Sequence, residues 1–148
     1  MMSLEGVKLV KHFEGLKLKA YQDTAGIWTI GYGHTNNVYP NMIITESEAT
    51  HYLYEDLLIA EQKVDRYLKR NIKIHEKDAL ISGAYNLTTK SIKRLIEYVN
   101  VDPNIYLDKI VLYCKDIQGH TLVGLKKRRL AERDLFLGKT WEEIKQDI

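Results

Sequence analysis

Apolar residues recur at helical spacing along most of this chain. Leu4, Val7, Val10 and Phe13 mark a first helix, with Ser3 placed to cap it and Glu5 in its first turn. That helix runs to about His12 or Phe13 and leaves Glu14 at its carboxyl end, ahead of Gly15. A carboxylate there meets the negative end of the helix dipole, which suits a group that holds a proton. From Lys17 to Thr35 the pattern changes. Leu18, Ala20 and the run Ile27 to Ile30 alternate with the turn residues Asp23-Thr24-Ala25-Gly26 and Gly31-Tyr32-Gly33, which predicts a short β-hairpin or small sheet. So small a sheet must pack on helices to be stable.

Helical periodicity then resumes. Thr45-Glu46-Ser47-Glu48 is a capping box, and Ala49, Tyr52, Leu53, Asp56, Leu57, Ala60, Val64 and Tyr67 share one face behind it. About two dozen residues at 1.5 Å each give a helix of roughly 35 Å, long enough to join two lobes. Further helices are expected over about 76–86 and 91–99. Another starts at the Asp102-Pro103 cap and continues through Leu107, Ile110, Val111 and Cys114. After a loop at 116–123, a helix over 125–137 stops at Gly138, and the capping box Thr140-Trp141-Glu142-Glu143 opens a short last one. The fold class is α+β, mostly helical, with a small antiparallel sheet near the amino end.

Composition narrows the function classes. The chain has 148 residues, 45% hydrophobic and 28% charged, which fits one globular domain rather than a disordered or repetitive chain. A net charge of +2 is too small to imply nucleic acid. The basic run Lys126-Lys127-Arg128-Arg129, with Arg133, reads as the solvated or cleft-lining face of an amphipathic helix whose other face is Leu125, Leu130, Leu135 and Phe136. One cysteine, Cys114, forbids an internal disulfide, and the five histidines show no metal-ligand spacing. No apolar run reaches the roughly 18 residues of a membrane span, and the amino-terminal segment does not read as a secretion signal. Met42 and the ten tyrosines suggest packing and surface only.

The candidate chemistry lies in the first 35 residues. Glu14, Asp23 and Thr29 follow one another with eight and five residues between them. Inverting glycoside hydrolysis needs an acid and, on the other face of the sugar, a base that activates water, their carboxyl groups roughly 6.5–9.5 Å apart. A glutamate at a helix end and an aspartate on a hairpin turn can face each other in that way, with Thr29 holding the water. By spacing alone the plainer reading is favoured: a solvated glutamate, an Asp-Thr turn and a strand threonine.

Phe13-Glu14-Gly15, Ala20-Tyr21-Gln22-Asp23 and Trp28-Thr29-Ile30-Gly31-Tyr32-Gly33-His34-Thr35, in this order, closely resemble the phage-type lysozymes, the endolysins of glycoside hydrolase family 24. Ile44-Thr45-x-x-Glu48-Ala49, Asp56-Leu57, Asp78-Ala79-Leu80-Ile81, Tyr85-Asn86 and Gly124-Leu125-x-x-Arg128-Arg129-x-x-Glu132-Arg133-x-Leu135-Phe136 extend the likeness over nearly the whole chain. The resemblance implies a two-lobed, lysozyme-like single domain over 1–148, with a β-containing lobe at about 13–44 and a helical lobe at about 45–148 joined by 1–12. It implies a muramidase that cleaves peptidoglycan between N-acetylmuramic acid and N-acetylglucosamine, for host-cell lysis by a phage. Glu14 is then the general acid, Asp23 the opposing carboxylate, Thr29 the water-positioning hydroxyl and Asn86 a substrate contact.

Matched position also suggests that Arg128 pairs with Glu14, and that His34 pairs with Asp56 to tie sheet to long helix. Such a pair is expected to lower the pKa of Asp56. The stretch after Asn86 departs from the family: Leu87-Thr88-Thr89-Lys90-Ser91 is shorter and lacks a glycine, so one rim of the cleft should differ. The expected context is a monomer in the host cytoplasm, without cofactor, metal, membrane anchor or nucleic-acid partner, released to the wall through a holin-type membrane protein. The competing readings are a lytic transglycosylase, an inactive peptidoglycan-binding module of lysozyme-like fold and a nucleic-acid binder.

Overall fold

The computed structural model describes residues 1–148. Its elements run α1 (Leu4–Glu14), β1 (Lys17–Gln22), β2 (Trp28–Gly31), α2 (Glu46–Tyr67), α3 (Ile74–Asn86), α4 (Thr89–Val101), α5 (Pro103–Lys109), α6 (Val123–Phe136) and α7 (Trp141–Ile144). The two strands pair antiparallel, with Tyr21 opposite Thr29 and Gln22 opposite Trp28, and an irregularity between Lys17 and Tyr21. Isolated bridges, Lys19 to Ile43 and Ile30 to His34, extend this sheet. The core takes Val7, Leu9 and Val10 from α1, Ile30 from β2, Leu53, Leu57 and Val64 from α2, Leu80 and Ile81 from α3, Leu95 and Ile96 from α4, and Leu135 and Phe136 from α6. The hairpin adds one of its few apolar side chains, Ile30, to this core, which is how so small a sheet is held.

The capping boxes behave as their sequences dictate. Thr45 Oγ1 accepts from the Glu48 amide at 3.1 Å, and the Glu48 carboxylate accepts from the Thr45 amide at 3.1 Å. Thr140 and Glu143 do the same at the start of α7. Asp102 caps α5 through the Asn104 amide, with Pro103 at the first helical position. Ser3 differs. It occupies the cap position of α1 but makes no capping bond; its hydroxyl and amide both donate to the Asp78 carboxylate on α3. The buried carboxylate needs two donors, and that need outweighs a local cap.

The helix expected through Cys114 stops at Lys109, tightens into a 3-10 turn over Ile110–Leu112 and ends at Tyr113. The reason is a local closure: the Cys114 carbonyl accepts from the Leu122 amide at 2.8 Å, so Cys114 leaves the helix to clamp the loop 115–121. α3 and α4 each begin two residues earlier than expected, at Ile74 and Thr89, and α6 begins at Val123. Only Leu87 and Thr88 separate α3 from α4, and Thr88 Oγ1 caps α4 through the Ser91 amide. The short rim after Asn86 is therefore an immediate helix restart.

The amphipathicity expected of α6 is partly inverted. Leu130 is 39% exposed, whereas Arg128, Arg129 and Glu132 are buried at 3%, 0% and 0%. The charged residues face inward because α3 and the end of α1 supply polar partners for them, as the site makes clear.

Candidate active site

Glu14 is the last residue of α1. Gly15 follows with φ +72°, a left-handed conformation that turns the chain sharply toward β1. The Glu14 carboxylate is thus delivered by a helix end, and two contacts define its position. Arg128 Nη1 donates to Oε2 at 2.5 Å. On the other side Oε1 lies against Gly33, whose backbone has φ +83°; a Cβ there would come within 2.6 Å of that oxygen. Gly33 therefore serves both a left-handed turn and a close approach to the Glu14 carboxylate. Glu14 and Arg128 side chains are 17% and 3% exposed, so the pair is reached by solvent from the Glu14 side.

Asp23 is held by purely local bonds. Its Oδ1 accepts from the Ala25 and Ile27 amides, both at 2.9 Å, and its own amide donates to the Ile27 carbonyl. This Asx turn closes the hairpin and leaves Oδ2 without a protein donor. Thr29, opposite Tyr21 on β2, is buried, and its hydroxyl donates to the Ile27 carbonyl at 2.9 Å. The Thr29 oxygen keeps its lone pairs for an incoming donor.

Tyr21, on β1, is within electrostatic reach of both carboxylates. Its phenol is pushed up by burial and then by the negative charges of Glu14 and Asp23. Tyr85 donates to the Tyr32 carbonyl at 2.5 Å, and its hydroxyl lies 3.6 Å from the position of a Gly33 Cβ. Burial, with Glu14 and Asp56 nearby, raises its pKa strongly. Tyr21 and Tyr85 thus frame the site, and a reading of the tyrosines as packing and surface missed both. Their sequence signal was position: Tyr21 lies two residues before Asp23, and Tyr85 precedes Asn86.

His34 Nδ1 lies 2.8 Å from Asp56 Oδ2, and the imidazole stacks on Tyr52 at 4.4 Å with rings 6° apart. Backbone bonds between Ile30 and His34 in both directions close the turn above β2. The pair joins sheet to α2. The expected lowering of Asp56 is overturned: burial raises its pKa, outweighing the hydrogen bond and charge of His34. A cleft of about 270 Å³ opens beside it, lined by Gly33, Thr35, Asn36, Asp56, Lys63 and Tyr85.

Asn86 ends α3 on the far side. It is exposed, and its Oδ1 accepts from Arg129 Nη2 at 2.5 Å. A second cleft of about 350 Å³ begins there and is lined by Asn86, Leu87, Thr88, Tyr113, Lys115 and Leu125. The structure brings Glu14, Arg128 and Gly33 into one cluster and holds Asn86 through Arg129. No group of three or more His, Cys, Asp or Glu side chains is arranged to hold a metal ion.

Residues 11–132 match the phage lysozyme family. The chain belongs to that family. It is 36% identical over 141 residues to the endolysin of Acyrthosiphon pisum secondary endosymbiont phage 1, covering 91% of this chain and 97% of that one. It is 37% identical to the endolysin of Bacillus phage B103 over 92% of its length, but spans only 54% of that protein. The solved endolysin from Escherichia coli O157:H7 phage FAHEc1 superposes with a TM-score of 0.85 at 32% identity, covering 93% of this chain and 94% of that one. The chain is accordingly a glycoside hydrolase of the lysozyme type, with the helical fold and small antiparallel sheet of that family.

Proposed function

We propose that the chain is a muramidase that hydrolyses the β-1,4 bond between N-acetylmuramic acid and N-acetylglucosamine in peptidoglycan strands, with inversion, and that it serves a phage in lysing its host. Glu14 gives its proton to the glycosidic oxygen as that bond breaks. A water on the opposite face of the sugar donates one hydrogen bond to the Thr29 oxygen and yields its proton to Asp23 Oδ2 as it attacks the anomeric carbon. Arg128 then balances the charge left on Glu14 until it is reprotonated. Asn86 is proposed to touch the glycan, at the edge of the cleft that Arg129 holds it to. The observation that carries the reading is that Glu14, at the end of α1, is reached by solvent and paired with Arg128, while Asp23 Oδ2 and the Thr29 oxygen are left without a protein donor.

The proposed context is a single lysozyme-like domain over 1–148, acting as a monomer without cofactor. A holin-type membrane protein would bring it from the host cytoplasm to the wall. The endolysin names of its relatives support that context, and no helix is long and apolar enough to cross a membrane. The test is turbidity loss on purified peptidoglycan with Glu14→Gln as control. The variant should bind the wall and fail to clear it, with a loss of roughly 10²–10⁴-fold expected for a missing general acid. A 1,6-anhydro-muramic product would make the chain a transglycosylase, and a first product of retained anomeric configuration would refute inversion. No clearing by the native chain would leave a wall-binding module.

A further inference from the structure

Behind Glu14 lies a buried charge cluster, of which the proposed reaction uses Arg128 but not Glu132. Glu132, on α6, is fully buried and stands between two arginines of its own helix. Its Oε2 accepts from Arg128 Nε at 3.3 Å and from the Ser82 hydroxyl of α3 at 2.5 Å. Arg128 is further fixed by donating Nη2 to the Ser82 carbonyl at 3.2 Å, which leaves Nη1 pointing at Glu14. Glu132 Oε1 lies 3.2 Å from Arg129 Nε without hydrogen-bond alignment, and Arg129 reaches on to Asn86. The guanidinium atoms Nε and Nη1 of Arg129 and the Tyr106 hydroxyl of α5, nearby, have no hydrogen-bond partner.

Such a cluster is a poor device for stability. Buried ions with unmatched atoms cost desolvation that their attraction barely repays, and an apolar set of the same volume serves a core as well. It is a good device for orientation. Arg128 has one carboxylate on each side, Glu14 toward the cleft and Glu132 toward the core. Both arginines are positive and Glu132 is negative, so with Glu14 ionised the four side chains sum to zero charge. Other titratable groups around Glu14 are Tyr21 from β1 and Tyr85 from α3, each of which also feels a second carboxylate, Asp23 for Tyr21 and Asp56 for Tyr85. Those facing the two arginines and Glu132 are Ser82, Tyr106 and Cys114.

We infer that Glu132 is a positioning residue: it aims Arg128 at the catalytic Glu14 and Arg129 at the cleft-edge Asn86, and its negative charge limits how strongly the arginines favour ionised Glu14. The inference rests on Glu14 being the general acid. The sign follows from charge. Removing the Glu132 charge leaves two arginines less opposed, which favours the ionised form of Glu14. A general acid must be protonated to act, so the alkaline limb of the activity profile should move to lower pH.

The test is the pH dependence of kcat/KM for Glu132→Gln on soluble peptidoglycan fragments. The expected result is a loss of up to roughly 10²-fold, the scale of a small misplacement at a reacting centre, together with an alkaline limb moved acidward. Should Glu132→Gln not fold, Glu132→Asp carries the same readout, its charge withdrawn by one methylene and its displacement smaller in the same direction. An alkaline limb unmoved in the variant that folds overturns the inference, whatever the loss of rate. Glu14→Gln run in parallel separates the two readings. If it still clears peptidoglycan, the acid assignment fails; if it is inactive and the limb is unmoved, only the role of Glu132 fails.

Discussion

The two carboxylates of the site are held in opposite ways. Asp23 is fixed within five residues: its Oδ1 takes the Ala25 and Ile27 amides, and the turn closes on itself. Glu14 is fixed across more than a hundred residues, by Arg128, which is itself fixed by Ser82 and Glu132. The hairpin turn is exposed and positions Asp23 through backbone geometry. The junction of α1, α3 and α6 is buried and positions Glu14 through charge. In the proposed roles, a base that must meet water can stand on an exposed turn, and an acid gains from a site where each charge that reaches it is placed.

That contrast predicts where stability and activity part. Arg128→Met should give the largest combined effect, because it takes one of the two buried arginines from Glu132 and strips Glu14 of its own. A loss of about 3–5 kcal/mol is expected, read as a lower midpoint in urea denaturation, with activity lost as well. Asp23→Asn should lose activity by roughly 10²-fold or more while moving the unfolding free energy by less than about 0.5 kcal/mol. The amide oxygen can still accept both turn amides, so only the proposed base is gone. If the two substitutions destabilised alike, the contrast between charge-held and backbone-held carboxylates would be wrong.

Gly33→Ala tests the point where the two regions touch. The new Cβ meets Glu14 Oε1 at 2.6 Å, and φ +83° disfavours any L side chain. A backbone cost of about 1–3 kcal/mol is expected. Activity should fall further than that cost explains, since the acid must shift; equal activity in the folded fraction would show that Oε1 moves freely. The smallest effect belongs to Asp56. Burial raises its folded pKa above its unfolded value, so its relative contribution to stability is fully present below the ordinary carboxylate value of about 3.9 and is lost as pH rises through the raised value. Asp56→Asn should flatten the fall in melting temperature across that window. A slope identical to that of the native chain would mean that His34 compensates the burial completely.

Legibility in the sequence followed the range of the interaction. Capping boxes at Thr45 and Thr140 and the Asp102-Pro103 start were readable because each is settled within four residues. The hairpin and its turn were readable for the same reason. Ser3 was misjudged because its cap competes with Asp78, 75 residues away. The helix at 102–114 was overextended because its periodicity continues past Lys109, while the bond from Leu122 to Cys114 that stops it is nonlocal. The direction for Asp56 was reversed because a pairing argument counts the partner and not the burial.

The sequence by itself determined the order of the helices, the hairpin turn at Asp23, and the family resemblance that singled out Glu14 with Asp23 and Thr29. These depend on neighbours along the chain. Only the tertiary structure decided which face of α6 is inside. By pattern Leu130 belongs to the core and the run Lys126 to Arg129 to a solvated or cleft-lining face, yet Leu130 is turned outward and Arg128, Arg129 and Glu132 are buried. A charged side chain can be buried only where other segments bring it partners. Here Ser82, Asn86 and Glu14 do so from α3 and α1.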